Sequence, residues 1–215
     1  GFFDGNNFAD DESEQFLNLA FVHNPLLDAG GAIVVGDDGG SPGLRLAYVG
    51  DVNGSNNVSA SVGFFGAGED GANFSDSFDG GLVIGQLEYS GKIFGGLNGA
   101  YRLYGWSNGN ALKLDGVTEE RHSGWGISID QQVASHVTLF TRVGLSTDGE
   151  LAFDEAFTLG AQFDGGLWGR ANDRVGLAAG WLEASPESGL GGTEKPTELY
   201  YVWQFNDHVH LSPSV

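Results

Sequence analysis

From about Ser41 onward, one habit governs the chain: segments of roughly eight to ten residues alternate apolar side chains with small or polar ones. A period of two residues is the period of a half-buried strand. In Asn57 to Phe65, Val58, Ala60, Val62 and Phe64 fall on one face, with Asn57, Ser59, Ser61 and Gly63 on the other. Ser123 to Gln132 sets Trp125, Ile127 and Ile129 against Gly124, Gly126, Ser128 and Asp130. Val137 to Leu145, Ala156 to Asp164 and Thr197 to Asn206 repeat the pattern. No run approaches the roughly 18–20 apolar residues that a spanning helix needs. In lipid every backbone polar group needs an internal partner, so a membrane protein with this pattern has to be a closed barrel.

The connections carry a second pattern. Short links are expected at 51–55, 91–95 and 134–136, and at Asn206-Asp207. Long ones are expected at about 66–80, 106–121, 146–155 and 184–196, with an intermediate turn around Gly169 to Asp173. Outer-membrane barrels alternate in this way, with short periplasmic turns and longer outside loops. Tyr48, Tyr89, Phe163, Trp181 and Phe205 sit near strand ends, where interfacial aromatic girdles lie. The first forty residues are less regular. Phe16, Leu17, Ala20 and Phe21 have helical spacing within Asp10 to Asn24, and Pro25 follows. A short helix is expected there, and then a strand near Gly31 to Gly36.

Composition narrows the function. The net charge is -20, with 9 Lys and Arg. Phosphate neutralisation needs clustered cations, so nucleic acid is excluded as a partner, and so is peripheral binding to anionic lipid. With no Cys, disulfides and thiolate metal sites are excluded. There are 37 Gly without a fixed period and 12% aromatic residues, which fits neither collagen nor a disordered linker. The sequence has no Gly-x-Ser-x-Gly elbow, and Gly36-Asp37-Asp38-Gly39-Gly40 lacks the Lys of a phosphate loop. No cofactor is implied, and the chain does not read as an enzyme.

Several segments together resemble the carbohydrate-selective porins of bacterial outer membranes, the OprB family. They are DDESEQFLNLAFVHNP at 10–25, GWGISIDQQV at 124–133, RVGLAAGW at 174–181 and TELYYVWQFNDHVHLSPSV at 197–215. The resemblance implies an all-β fold: an antiparallel transmembrane up-and-down barrel, porin-like, of about sixteen strands in the full protein. Ten or eleven strands are expected here, with the short helix near the N-terminus. Residues 1–215 are expected to form one barrel domain, as the middle of a longer chain.

If the apolar face meets lipid, the other face meets a lumen. That register turns Arg45, Glu88, Arg102, Tyr104, Asp130, Arg142, Gln162, Glu198 and Gln204 inward, together with Gln86 and Tyr200. Arginine forks and carboxylates bond adjacent hydroxyls, and aromatic faces stack on sugar rings. The plainer role for the charges is to pair across the wall and hold the barrel open. The resemblance implies passive diffusion of small hydrophilic solutes, carbohydrates above all. Ions and small organic solutes are the alternative within the same fold. Lipid and lipopolysaccharide are the implied surroundings, with the chain a monomer or a homo-trimer. A different class remains open, a soluble acidic β-sandwich whose core is Trp125, Phe157, Leu159, Tyr201 and Trp203.

Two further clusters read as solvent-facing. Glu69, Asp70, Asp76 and Asp79, and Asp148 with Glu150, offer oxygens to Ca²⁺ but match no EF-hand spacing. His208 and His210 share one face beside a turn without further metal ligands in view.

Overall fold

The computed structural model describes residues 43–66 and 80–215. The expected helix at 10–24, the strand at 31–36 and the acids at 69–79 lie outside the described residues.

Alternation has become one antiparallel sheet of 11 strands. In chain order these are β1 (Gly43–Asp51), β2 (Asn56–Phe65), β3 (Leu82–Lys92), β4 (Asn98–Leu112), β5 (Glu119–Ala134) and β6 (Val137–Asp148). Then come β7 (Phe153–Asp164), β8 (Arg174–Ala184), β9 (Thr193–Glu194), β10 (Thr197–Asn206) and β11 (Val209–Leu211). Each strand pairs with its sequence neighbour, except that β10 pairs with β8 while the two-residue β9 pairs only with β8. This is an up-and-down meander with no crossovers, the simplest route to a barrel wall.

The register sorts the side chains into two faces. Leu46, Val62, Gly85, Gly105, Trp125 and Leu145 form one row across six strands. Tyr48, Leu87, Leu103, Phe157 and Trp181 share that face, with relative exposures of 37–72% for the large apolar side chains Tyr48, Tyr89, Leu103 and Trp125. The opposite face carries Gln86, Arg102, Asp130, Arg142, Gln162 and Glu198, all buried. A soluble protein rarely leaves so extended an apolar patch open to water. Here the greasy face points out and the charges point in, the polarity of a barrel wall in lipid. Trp125, Phe157, Leu159 and Trp203 are on the outer face, and the described strands form one sheet. That overturns the β-sandwich alternative, because the side chains meant for its core are turned away from the polar interior.

Large inward rings lie flat on the wall. Trp106 covers Gly124, Tyr104 covers Gly126, Phe140 covers Gly160 and Tyr200 covers Gly176, each on the adjacent strand in register. A Cβ at any of these four glycines would overlap the ring above it. The absent side chain is the space into which the ring folds.

Two expected loops are corrected. The link at 106–121 contracts to 113–118, because β4 continues to Leu112 and β5 starts at Glu119. The link at 146–155 contracts to 149–152. Both stretches are polar, yet backbone pairing continues across them: Ala111 pairs with Glu120 and Leu112 with Glu119 beyond a bulge after Asn108. The nine-residue width of the 165–173 turn therefore exceeds some connections on the opposite rim. Among the described residues a long link is seen at 185–196, while the links at 113–118 and 149–152 are short.

The rims are tied by side chains. Lys113 Nζ bonds Glu150 Oε1 at 2.8 Å and stands 3.7 Å from Glu120 Oε1, linking two connections of one rim. Asp115 accepts from the backbone nitrogens of Val117 and Thr118 and from the Thr118 hydroxyl. These bonds, led by the hydroxyl, hold its carboxyl down at about 2. On the other rim Asp173 is gripped by Arg170, the Tyr201 hydroxyl and the Gln204 backbone nitrogen. Arg170 also lies over the Trp203 ring, 5.7 Å from its centroid.

Candidate functional site

The inner face of β3 to β6 carries a ladder of alternating charge. Glu88 on β3, Arg102 on β4 and Ser128 on β5 are consecutive partners in the register, followed by Arg142 on β6. Strand pairing alone thus brings together residues far apart in the chain. Arg102 Nε donates to Glu88 Oε2 at 2.7 Å, and its Nη1 donates to Asp130 Oδ2 at 2.6 Å. Arg142 Nη2 donates to the other Asp130 oxygen at 3.0 Å. Asp130 therefore sits between two guanidiniums, one on each neighbouring strand. Ser128, small and lying between the arginines in the row, leaves room for both forks to reach it.

Arg142 is fully buried, at 0% relative exposure. Its Nη1 also reaches the carbonyl oxygens of Ile129 and Thr141, both at 3.2 Å, and its Cζ is 5.2 Å from the Phe140 ring centroid. Charges taken this far from water persist only when paired and hydrogen-bonded. Two cations and two anions make the ladder neutral.

Below the ladder, toward the rim of the 93–97, 135–136 and 165–173 turns, the wall encloses a polar concavity of about 700 Å³. Glu88, Arg102, Asp130 and Gln162 line it, joined by Gln132, Thr138, Asp164 and Arg174. The volume lies within the roughly 300–1,000 Å³ span of small-molecule sites. Tyr200 donates its hydroxyl to Gln162 Oε1 at 3.0 Å, which sets the orientation of that amide.

The other residues expected at the lumen fall elsewhere on the same face. Tyr104 lies in the next row up, flat over Gly126. Arg45 shares its row with Gly63, Ile84 and Trp106, so it also points inward. Glu198, paired in register with Ala178, accepts from the Ser214 hydroxyl at 2.6 Å and closes the β10 edge. Gln204 bonds the Asn206 carbonyl oxygen at 2.8 Å beside the turn into β11. The structure thus gathers four of the nine expected residues into one concavity, links Arg142 to them through Asp130, and leaves Arg45, Tyr104, Glu198 and Gln204 apart. Arg174, Asp164, Thr138 and Gln132 went unnoticed as site residues. The alternation that turned Asp164 inward was visible in the sequence, but which strands meet around it was not.

Over its full length, residues 1–215, the sequence matches the family described as carbohydrate-selective porin, OprB family. The chain belongs to the OprB family. Comparison with curated protein sequences returned no match. Among solved structures, OprB of Pseudomonas putida at high pH is similar over 100% of this chain and 62% of that one, with a TM-score of 0.75 and 18% identity. The ferric-catecholate import receptor Fiu of E. coli K12, in its closed form, gives a TM-score of 0.41 at 13% identity, covering 79% of this chain and 29% of that one. This OprB-family chain therefore spans about three fifths of the length of the first of these structures, 62%. The P. putida comparison shows the fold: the open sheet described above has the arrangement of a porin barrel wall. The family and the inverted polarity of the sheet place the protein in the bacterial outer membrane.

Proposed function

We propose that this chain forms part of the wall of an outer-membrane porin that lets small hydrophilic solutes, carbohydrates foremost, diffuse passively through a water-filled lumen. On this reading the protein is a channel and not an enzyme, and residues 1–215 belong to one barrel domain. The supporting observation is the inverted sheet: apolar side chains outside, and inside a polar concavity next to a charge ladder that balances itself. Membership of a family described as carbohydrate-selective supports carbohydrates as the solute class.

The inward set, Arg45, Glu88, Arg102, Tyr104, Asp130, Arg142, Gln162, Glu198 and Gln204, is proposed as the lining, with unequal roles. Glu88, Arg102, Asp130 and Gln162 face the concavity and would meet solute directly. Arg142, buried behind Asp130, would hold that carboxylate in place. A neutral ladder suits neutral solutes. It presents donors and acceptors to hydroxyl groups while exerting little net pull on an ion.

Planar-bilayer recording from the full-length protein is the test. The expected result is stepwise single-channel current that falls as glucose is added. A purified, folded protein that gives no steps would end the channel reading. Steps insensitive to every sugar tried would leave a general porin.

A further inference from the structure

We infer that the short-turn end of this concavity holds a sugar-binding station of its own, built on Arg174 and Asp164 and flanked by Thr138 and Gln162, beside the ladder that borders the same space. This inference rests on the channel reading above and adds a second place where solute pauses, one strand-end away from the ladder.

Arg174 opens β8 and Asp164 closes β7, and the two are register partners. Partners of this kind carry their Cβ atoms about 4.5–5.5 Å apart on one face. Both line the concavity. Arg102 and Arg142 are committed to Glu88 and Asp130. By contrast, the side chains of Arg174 and Asp164 make no ion pair or hydrogen bond, with each other or with anything else described. An opposite-charge pair side by side and unbonded offers a donor fork next to an acceptor pair. A pyranose carries neighbouring hydroxyls that each donate and accept. One can receive from the guanidinium while the next donates to the carboxylate, so a single diol engages both.

The neighbours extend the pattern. Thr138 and Gln162 are register partners on β6 and β7, one step from Asp164 along its strand face, and both line the same space. The charge count favours a neutral guest. Arg102 and Arg174 face Glu88, Asp130 and Asp164, and Arg142 behind Asp130 supplies the third cation. Among the described residues an inorganic ion would find no net charge to hold it, whereas a polyol would find donors and acceptors on three adjacent strands. Arg174 is exposed where the ladder arginines are buried, so it remains free to turn toward a guest.

Glucose-induced current noise in planar bilayers, with full-length protein and sugar added to either side, tests the station. Asp164→Asn keeps the side-chain shape, Arg174→Gln removes the charge and keeps a polar side chain, and the appearance of current steps shows that each variant has assembled. Each is expected to raise the half-blocking glucose concentration about fivefold to tenfold, the effect of a lost charge-assisted hydrogen bond. Arg174→Lys should recover part of the loss. If both variants are blocked by glucose as readily as the unaltered protein, the station is wrong and the sugar channel stands. If the unaltered protein conducts but glucose never blocks it, the sugar reading fails and takes the station with it.

Discussion

Four glycines determine how far four aromatic rings project into the lumen. Phe140 over Gly160 and Tyr200 over Gly176 join Ala178 and Val202 in a small inward cluster, in which the rings lie along the wall. A methyl group at Gly160 or Gly176 has nowhere to go, because it meets ring carbons and, at Gly160, the Leu177 carbonyl oxygen as well. Gly160→Ala and Gly176→Ala are each expected to cost about 1–3 kcal/mol through overpacking, read as a lower temperature for loss of the heat-modifiable folded band. Gly85→Ala on the outer face, where the nearest atom lies 3.9 Å away, is expected to stay within about 0.5 kcal/mol of the unaltered protein. Equal losses at all three would contradict the ring-over-glycine account. Asp130 is the second point of leverage. Asp130→Asn removes the carboxylate shared by Arg102 and Arg142 and leaves Glu88 as the ladder's anion among the described residues. The ladder then becomes positive, and the reversal potential in a salt gradient should move toward anion preference; no movement would mean that the ladder does not border the ion path.

At the scale of the element, the turn between β7 and β8 is held by one carboxylate. Arg170 first, then the Tyr201 hydroxyl and the Gln204 backbone nitrogen, hold Asp173 at about 2, below its ordinary value of 3.8. A carboxyl depressed in the folded state stabilises above its unfolded value and loses that contribution as pH falls through its folded value. The turn should therefore be firm above about pH 4 and loosen progressively toward about pH 2. Trp168, whose ring centroid is 6.3 Å from that of Tyr201, and Trp203, beneath Arg170, report on it. Their fluorescence should change across that window, and the change should be absent from Asp173→Asn, whose turn is already loose at neutral pH. A transition identical in both proteins would assign it to other groups.

Strands and faces were legible because a two-residue period marks which side chains share a side. Trp125, Ile127 and Ile129 faced away from Ser128 and Asp130 in the sequence, and they do so in the sheet. Register was hidden, since the period is the same whichever residue of the next strand stands opposite. So Arg102, Asp130 and Arg142 could be turned inward from the sequence but not joined. The hairpin of β4 and β5 was cut short for another reason. Asn108 to Leu112 and Glu119 to His122 are too polar to look like strand, and it is their mutual backbone bonding beyond the apolar stretch that keeps them extended.

The whole molecule carries a net charge of -20, yet its ladder is neutral. Among the described residues the excess acid lies outside the ladder, at turns and strand ends such as Asp115, Asp148, Glu150, Glu187 and Asp207. Fields from exposed groups fade over a Debye length of about 10 Å at 0.1 M salt and about 3 Å at 1 M. A mild cation preference is expected in 0.1 M KCl and should vanish in 1 M. Preference that survives high salt would place fixed charge in the narrow part of the lumen.

The β4–β5 hairpin, with strands of 15 and 16 residues, is longer than a hydrocarbon layer requires. At about 3.4 Å per residue and a tilt of about 40° it rises roughly 40 Å, against an apolar band of about 25 Å. The surplus stands above the lipid as a post, capped by the exposed Asp115-Gly116 corner. With this rim turned outward, as the longer links of outer-membrane barrels are, that corner is expected at the cell surface. A peptide epitope spliced in at Gly116 should be stained by antibody on intact cells without obstructing the passage beneath.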